Sequence, residues 1–277
     1  MQFGVQERFV EPGGVVYGVG RQIQRAVAGY DDERHRFGDR GAAGAVEVGV
    51  EQHAVDLFHA DLRHCVSHRC DRPYDDIADG KVTDIKRAVK ADSDKTVVFS
   101  WIEYSDKTTR DAANDKMMND PDAMAGMADM PFDGKRMIFS GFTPILNQGS
   151  LENMGYIDGY VIPVSNVKKG DYFKVAEAAA PIFIEHAASQ VVENWGDDVR
   201  HGETTDFYGA VNAEDGENIV FSWISWPSKE VRNTGNAATM ADDRFKEGAS
   251  AGQPGSMPMP FDGKRMIMGG FVPILDR

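Results

Sequence analysis

Residues 218–226 read Asn-Ile-Val-Phe-Ser-Trp-Ile-Ser-Trp, and this stretch decides the fold. It predicts a strand, because β-branched and aromatic residues fill it and Pro227 closes it. Successive side chains of a strand point to opposite faces, so Val220 and Ile224 lie on one face and Phe221 on the other. Helices can cover one apolar face only. The second face needs another sheet, which predicts a face-to-face dimer of such modules.

The chain contains this module in tandem. Val-Phe-Ser-Trp-Ile occurs at residues 98–102 and again at 220–224, an offset of 122 residues. Pro-Phe-Asp-Gly-Lys-Arg-Met-Ile occurs at 131–138 and at 260–267, and Gly-Phe-x-Pro-Ile-Leu follows each copy. Collinear matches of this length indicate an internal repeat.

The second copy carries the more legible series of elements. Strands are predicted at residues 156–164, 190–195, 204–213, 218–226 and 266–275. Helices are predicted at 168–188 and from the capping residue Ser228 to about residue 245. The order β-α-β-β-β-α-β is that of an α+β, ferredoxin-like sandwich with one extra hairpin strand.

Composition excludes several classes of protein. Of the 277 residues, 42% are apolar, yet no run approaches the length of a membrane helix, and no signal peptide is evident. The formal net charge is −14, of which −12 falls on residues 75–277. An acidic module without a basic stripe does not favour nucleic acid or anionic membranes as partners. Two cysteines outside the repeat indicate a reducing, cytoplasmic location, and no cofactor motif is present.

The first 74 residues differ from the rest in composition. They contain no lysine but five of the seven histidines, although the 122-residue period places the start of the first copy within them. We therefore divide the chain into residues 1–74, a partial module at 75–150 and a complete module at 151–277. One hypothesis is that residues 32–74 come from a wrong reading frame or a misassembled gene; the other is an unrelated natural extension. A natural extension would have its own fold, but our expectation for residues 1–74 is poor order.

The motifs resemble those of the YbaA-like family, small bacterial domains of unknown function. They are Tyr-x-Asp-Gly-Tyr at 156–160, Trp-Gly-Asp-Asp at 195–198, Thr-Asp-Phe at 205–207, Val-Phe-Ser-Trp-Ile at 220–224 and the long string ending at 267. The resemblance covers all of 155–277, but only 75–147 of the first copy, which lacks the first strand, first helix and second strand. It implies the dimeric α/β-barrel type of fold.

Two residues are candidates for proton transfer, namely His186 and Asp158. His186 follows the first predicted helix, where an imidazolium also interacts favourably with the carbonyl end of the helix dipole. The structural role is favoured for His186. The functional alternative places it at the rim of a cavity with Asp158 nearby.

Five residues are candidates for ligand binding: Trp195, Tyr208, Trp223, Lys264 and Arg265. The aromatic residues line a pocket between sheets or pack in the core, and core packing is favoured. Both copies carry the Lys-Arg pair, which indicates an anion contact or, preferably, an ion pair with the turn at 197–198.

Metal binding is not predicted. The acidic group Asp197, Asp198, Glu203 and Asp206 with His201 has the residue types of a cation site or a general base, but a solvated turn is favoured. His-Cys-x-x-His-x-Cys at 64–70 fits no common zinc spacing.

These observations predict a homodimer formed through the sheet of the complete module, because the incomplete copy is not expected to pair with it inside the chain. A small organic ligand is expected in an apolar cavity between the sheets. The alternatives are a cofactor-independent oxygenase or isomerase that uses His186 and Asp158, and a purely structural or interaction module. Fold implies activity only weakly.

Overall fold

The fold is known from a computed structural model, which describes residues 79–92, 95–121, 132–245 and 259–273, and the backbone alone of 29–30, 65–67 and 274–275. The strands are β1 (Gly29–Tyr30), β2 (Cys65–Ser67), β3 (Thr96–Ser100), β4 (Gly141–Gly149), β5 (Tyr156–Ser165), β6 (Gln190–Asp198), β7 (Glu217–Trp226) and β8 (Ile267–Leu275). The helices are α1 (Ile85–Ala88), α2 (Lys107–Asn119), α3 (Lys169–Glu185), α4 (Phe207–Ala210) and α5 (Lys229–Ala241). No helix in these ranges is both long and apolar enough to cross a membrane.

The second half of the chain is an α+β unit of antiparallel strands. Its strands lie in the order β8-β5-β7-β6, with β5 and β7 paired along their full length from Tyr156 opposite Trp226. Two long helices, α3 and α5, connect β5 to β6 and β7 to β8. Ser228 caps α5 as predicted, since its hydroxyl accepts a hydrogen bond from the Val231 amide at 3.2 Å. The helix ends at Ala241, before the predicted end.

The prediction of a strand at residues 204–213 is wrong, because helix α4 forms there. The Asp206 carboxylate accepts a hydrogen bond from the Gly209 amide at 2.6 Å, which fixes the first turn of a helix. Phe207 and Ala210 are then buried together on one side. The extra hairpin strand is therefore absent from this part of the described chain.

The two halves of the chain share one sheet. Strand β4 pairs with β6 of the second half, from Gly141 opposite Asp198 to Gly149 opposite Gln190. On the other side, β2 pairs with both β3 and β8, so the full order is β1-β3-β2-β8-β5-β7-β6-β4. The expectation that the halves do not pair within the chain is wrong, and so is the expectation that the first half lacks a second strand. The remaining predictions about residues 1–74, including poor order, lie outside the described residues.

One face of the sheet, the inner face, is packed with aromatic rings from both halves. Phe99 stacks on Phe221 with ring centroids 4.5 Å apart, and Trp101 stacks on Trp223 at 4.2 Å. Each ring therefore meets its own counterpart 122 residues along the chain. The apolar face that called for a second chain is covered from within this one. The predicted homodimer stays a prediction, but its premise of an uncovered face does not hold.

The opposite face of the sheet, the helix face, is covered by α3 and α5 in the second half. Tyr156, Ile224 and Trp226 pack there against Ala180 and Phe183 of α3. The alternation predicted for β7 is therefore observed. Phe221 and Trp223 lie on the inner face, and Ile224 and Trp226 lie on the helix face.

Candidate functional site

A row of polar side chains crosses the helix face of the sheet between α3 and α5. Glu193 of β6 lies opposite Ser222 of β7, which lies opposite Tyr160 of β5. Strand alternation places these residues on the same face as Ile224 and Trp226. Polar side chains in the middle of a helix-covered face are unusual, because burying such groups is costly unless they are hydrogen-bonded. The row is therefore the first candidate site.

Asp158 lies beside this row and is fully buried, but it is held in an ion pair. Its carboxylate accepts hydrogen bonds from Arg232 Nε at 2.9 Å and from Trp226 Nε1 at 3.0 Å, and Arg232 Nη2 lies 2.7 Å from it. A carboxylate with these partners joins α5 to the centre of the sheet. Its role as a proton acceptor remains a prediction, and the geometry favours a positioning role.

Glu193 differs from Asp158 because its partners are neutral. The Tyr172 hydroxyl donates a hydrogen bond to Glu193 Oε2 at 2.7 Å, and the Ser222 hydroxyl donates a second. Burial raises the pKa of Glu193 to about 7, although these two hydrogen bonds act in the opposite direction. Within the described part of the chain, Glu193 forms no ion pair. It is the acidic group best placed to exchange a proton near neutral pH.

Aromatic side chains surround the Glu193 carboxyl group. Burial raises the pKa of both Tyr160 and Tyr172 well above the ordinary value of 10.0, and the neighbouring carboxylates add to the effect. Phe261 lies against Tyr172 with ring centroids 5.9 Å apart, and Trp195 belongs to the same cluster. Lys169 Nζ lies 5.0 Å from the centre of the Trp195 ring.

Solvent reaches this cluster. Tyr160, Glu193 and Phe261 are all half-buried, although Tyr160 and Glu193 belong to inner strands of the sheet. The two covering helices come together at the other end of this face, where a Cβ atom added to Gly235 of α5 would overlap the His186 carbonyl oxygen. We name the resulting opening the groove and define it by Tyr160, Tyr172, Glu193, Trp195 and Phe261.

His186 lies outside the groove, at the end of α3. Its Nε2 is 3.2 Å from Asp242 Oδ2, just beyond α5, and Arg244 pairs with both Asp242 and Glu185. Hydrogen bonds from Arg244 and His186 lower the pKa of Asp242 far below its usual range. His186 and Asp158 thus have separate partners, and the structure does not join them in one site.

Arg265 and Lys264 have different roles. Arg265 forms a bidentate ion pair with Glu217, at 2.6 and 2.8 Å, and donates to the Asn212 carbonyl at 3.0 Å. Its counterpart Arg136 donates in the same way to the Lys90 carbonyl at 2.9 Å. Arg265 does form an ion pair, but the predicted partner is wrong, because it is Glu217 and not the turn at 197–198. Lys264 is exposed, so ligand binding by it stays a prediction.

The other predicted ligand-binding residues lie apart from one another. Trp223 is buried on the inner face, whereas Trp195 lies in the groove. Tyr208 packs against the exposed ring of His201, with centroids 4.9 Å apart. Only Trp195 of the aromatic set therefore meets the candidate site.

The acidic group near residue 200 is a set of caps and ion pairs. Asp206 caps α4, and Asp198 pairs with Arg110 and Arg200. Within the residues that the structure describes, no three His, Cys, Asp or Glu side chains are grouped so that they could hold a metal ion. The His-Cys motif at 64–70 lies outside the described side chains.

Glu193, Tyr160 and Arg232 were missed by the sequence analysis, although a signal for Glu193 was present. In β6, Val191 and Trp195 share a face with Glu193, so an acid stands between two large apolar residues at strand spacing. An acid in that position is either buried or beside an opening. No comparable local pattern marks Arg232, whose partner is 74 residues away in sequence.

Comparison with known proteins agrees with the repeated motifs. A family model described as a protein of unknown function (DUF1428) matches residues 51–134 and 155–263. The first match begins upstream of residue 75. The uncharacterized protein YbaA of Escherichia coli K12 is 50% identical over 123 residues, which are 44% of this chain and 99% of that protein. YbaA of Shigella flexneri matches to the same extent, at 50% identity, 44% of this chain and 99% of its own.

One solved structure, described as an anthrone oxidase-like protein, covers 81% of this chain and 82% of its own. Its sequence is 11% identical and its TM-score is 0.39, a likeness too weak to support an argument about activity.

Proposed function

We propose, for a chain that belongs to the DUF1428 family of proteins of unknown function, that it binds a small organic molecule in the groove, with Glu193 as the proton-exchanging contact. The single observation that carries this proposal is the Glu193 carboxyl group. It is half-buried, accepts hydrogen bonds from the neutral Tyr172 and Ser222 hydroxyl groups, and lies in a cluster of aromatic side chains. Binding sites typically combine an apolar wall with a few such polar groups.

This site replaces the cavity that the sequence suggested between the sheets. Phe99, Trp101 and their counterparts fill the inner face, so its apolar surface stabilises the fold. The helix face, in contrast, has the groove, which contains the Glu193 carboxyl group. If the chain is an enzyme of the oxygenase or isomerase kind, we infer that Glu193 is a better proton acceptor than either His186 or Asp158, because both of those are ion-paired.

A structural or interaction role is the second candidate, and the aromatic packing of the inner face favours it. We also propose that the two halves are tandem copies of a ferredoxin-like module that together form a barrel of the dimeric α/β type. Reciprocal contacts support this: Thr83 donates its hydroxyl hydrogen to the Ala210 carbonyl at 2.7 Å, and Thr205 does the same to the Ala88 carbonyl. Both pairs are related by the 122-residue period.

The binding proposal is tested by NMR on the full chain. Carboxyl ¹³C titration is expected to give Glu193 a pKa of about 7. A fragment screen by saturation transfer is expected to yield molecules whose signals weaken in Glu193→Gln and in Tyr172→Phe, but not in Glu177→Gln, an exposed acid on α3. A Glu193 pKa below 5, or fragments indifferent to Glu193→Gln and Tyr172→Phe, would contradict the proposal.

A further inference from the structure

Glu193 forms no ion pair with the described residues, although the Lys169 ammonium lies over Trp195, and this indicates what the groove binds. The Asp158 carboxylate is matched by Arg232, so the two together add no net charge. Glu193 is negative whenever it is ionised, and it forms no ion pair within the described ranges. A ligand that carries a positive charge would supply the missing partner.

The walls of the groove have the chemistry that suits a cation with apolar substituents. The faces of Tyr and Trp rings attract cations through their quadrupoles, and ammonium head groups are bound in this way in aromatic cages. The chain already shows this interaction once, since the Lys169 ammonium lies 5.0 Å from the centre of the Trp195 ring. Tyr160, Tyr172 and Phe261 add further aromatic surface around Glu193.

Other classes of ligand fit less well. An anion would face Glu193 at close range and would approach a chain of net charge −14. A neutral molecule would favour the protonated form of Glu193, so at pH 8 its binding would lack the charge pairing that a cation provides. The acidic chain attracts cations at long range, which acts in the same direction as the local contacts.

We propose that the groove binds a small organic cation of the alkylammonium class, whose head group lies between Glu193 and the aromatic rings. This inference rests on the proposed function of the groove. Only one such site is expected per chain, because Cys65 stands opposite Ser100 in the first half, where Glu193 stands opposite Ser222 in the second.

The test compares choline with 3,3-dimethyl-1-butanol, a neutral molecule of the same shape. Each is titrated into the full chain at pH 8 and low ionic strength, and binding is followed by calorimetry and tryptophan fluorescence. Choline is expected to bind at least tenfold more tightly than the alcohol, with one site per chain. Glu193→Gln should remove this preference by weakening choline binding at least tenfold without changing the affinity for the alcohol. Glu177→Gln makes the same charge change on the surface and should leave both affinities unchanged.

Lowering the pH to 5 should weaken choline binding in the wild type but not in Glu193→Gln. Tyr160 and Tyr172 stay neutral over this range because burial raises the pKa of both hydroxyl groups. The other charged groups nearby have their own contacts, since Asp158 pairs with Arg232 and Lys169 lies over the Trp195 ring. Equal or tighter binding of the alcohol would overturn the cation inference and leave the groove as a site for neutral molecules. Binding of neither probe would also overturn it, while the fragment screen decides separately whether the groove binds anything.

Discussion

Replacing Phe99 by alanine is expected to destabilise the second half of the chain, although Phe99 belongs to the first. The ring is fully buried against Phe221 at 4.5 Å, Phe271 at 5.1 Å and Trp101 at 6.0 Å. Two of these three neighbours lie more than 120 residues away. A contact of this kind exists only if the two halves pack on each other.

The size of the effect follows from burial. Truncating a fully buried phenylalanine to alanine costs about 3–5 kcal/mol, including the cavity that it leaves. That is a large part of the roughly 5–15 kcal/mol by which a typical domain is stable. If the halves were separate, the same ring would face solvent, and its loss would cost less than about 1 kcal/mol. The two cases differ by several times the error of the measurement.

The assay is urea unfolding followed by circular dichroism, with hydrogen exchange measured on peptides from β5 and β7. Phe139→Ala is the matched control, because that ring is 42% exposed. We expect Phe99→Ala to lower the unfolding free energy by about 4 kcal/mol and to accelerate exchange in both strands. Phe139→Ala should lower the unfolding free energy far less. Equal effects of the two substitutions, or faster exchange confined to the first half, would refute the intramolecular packing.

A double-mutant cycle adds a second, independent readout of the same contact. Gly159 lies under the Phe99 ring, and a Cβ atom added there would lie 2.7 Å from Phe99 Cε2. Gly159→Ala alone should therefore cost about 1–3 kcal/mol through overpacking. In the Phe99→Ala background the ring is gone, so the added methyl group has room and the two changes should be strongly non-additive. Additive effects would mean that the ring and the glycine do not touch.

Three further predictions concern the groove, the repeated arginine and the assembly. Burial raises the pKa of Glu193 from an ordinary 4.5 to about 7, so its contribution to stability is fully present below pH 4.5 and is lost as the pH rises through 7. Glu193→Gln should therefore unfold at the same urea concentration as the wild type at pH 4.5 but be roughly 2–3 kcal/mol more stable at pH 8; no gain would contradict the buried carboxyl. Arg265→Met should cost about 2–4 kcal/mol by leaving Glu217 unpaired, whereas Lys264→Met should cost under about 0.5 kcal/mol in the same melts; similar costs would contradict the ion pair. Residues 151–277 alone should dimerise in light-scattering measurements, because their inner face loses its cover. A dimer of the full chain in the same measurement would support the homodimer predicted from sequence.

Much of the second half could be predicted from the sequence, because its patterns are local. Strand alternation placed Phe221 and Trp223 on the face opposite Ile224, and the structure agrees. The capping role of Ser228 could be predicted as well. Residues 204–213 could not be assigned by the same means, because alternating apolar residues fit a strand as well as a short helix. The deciding contact there is the Asp206 cap, which a strand assignment does not consider.

The pairing of the two halves could not be predicted from such local patterns. The inner face needs a cover, as predicted, but the expectation that an incomplete copy could not provide it is wrong. In the structure, β4 leaves its own half and pairs with β6, so the first half needs few elements of its own to complete the sheet. The rings of Phe99 and Trp101 cover the inner face, and β4 extends the sheet beside β6.

The candidate site failed to appear in the sequence because its members come from three elements and a loop that no short motif links. Tyr160, Tyr172, Glu193 and Phe261 are separated by 12, 21 and 68 residues along the chain. Charge pairing decides which acids in the region are functional candidates, and pairing is a property of the folded chain. Arg232 pairs with Asp158 in the folded chain, whereas no basic side chain among the described residues pairs with Glu193.

The two halves contribute differently to the core and to the groove, because only some of the residues concerned occur in both halves. Rings of the inner face occur in both copies, as Phe99 with Phe221 and Trp101 with Trp223, and each pair stacks. The acid of the groove is different, because Cys65 stands opposite Ser100 in the first half, where Glu193 stands opposite Ser222 in the second. Packing that closes the sheet requires both copies to keep their rings, whereas a ligand site requires only one. The two halves can therefore share one core and form one groove, and the number of choline molecules bound per chain measures whether they do.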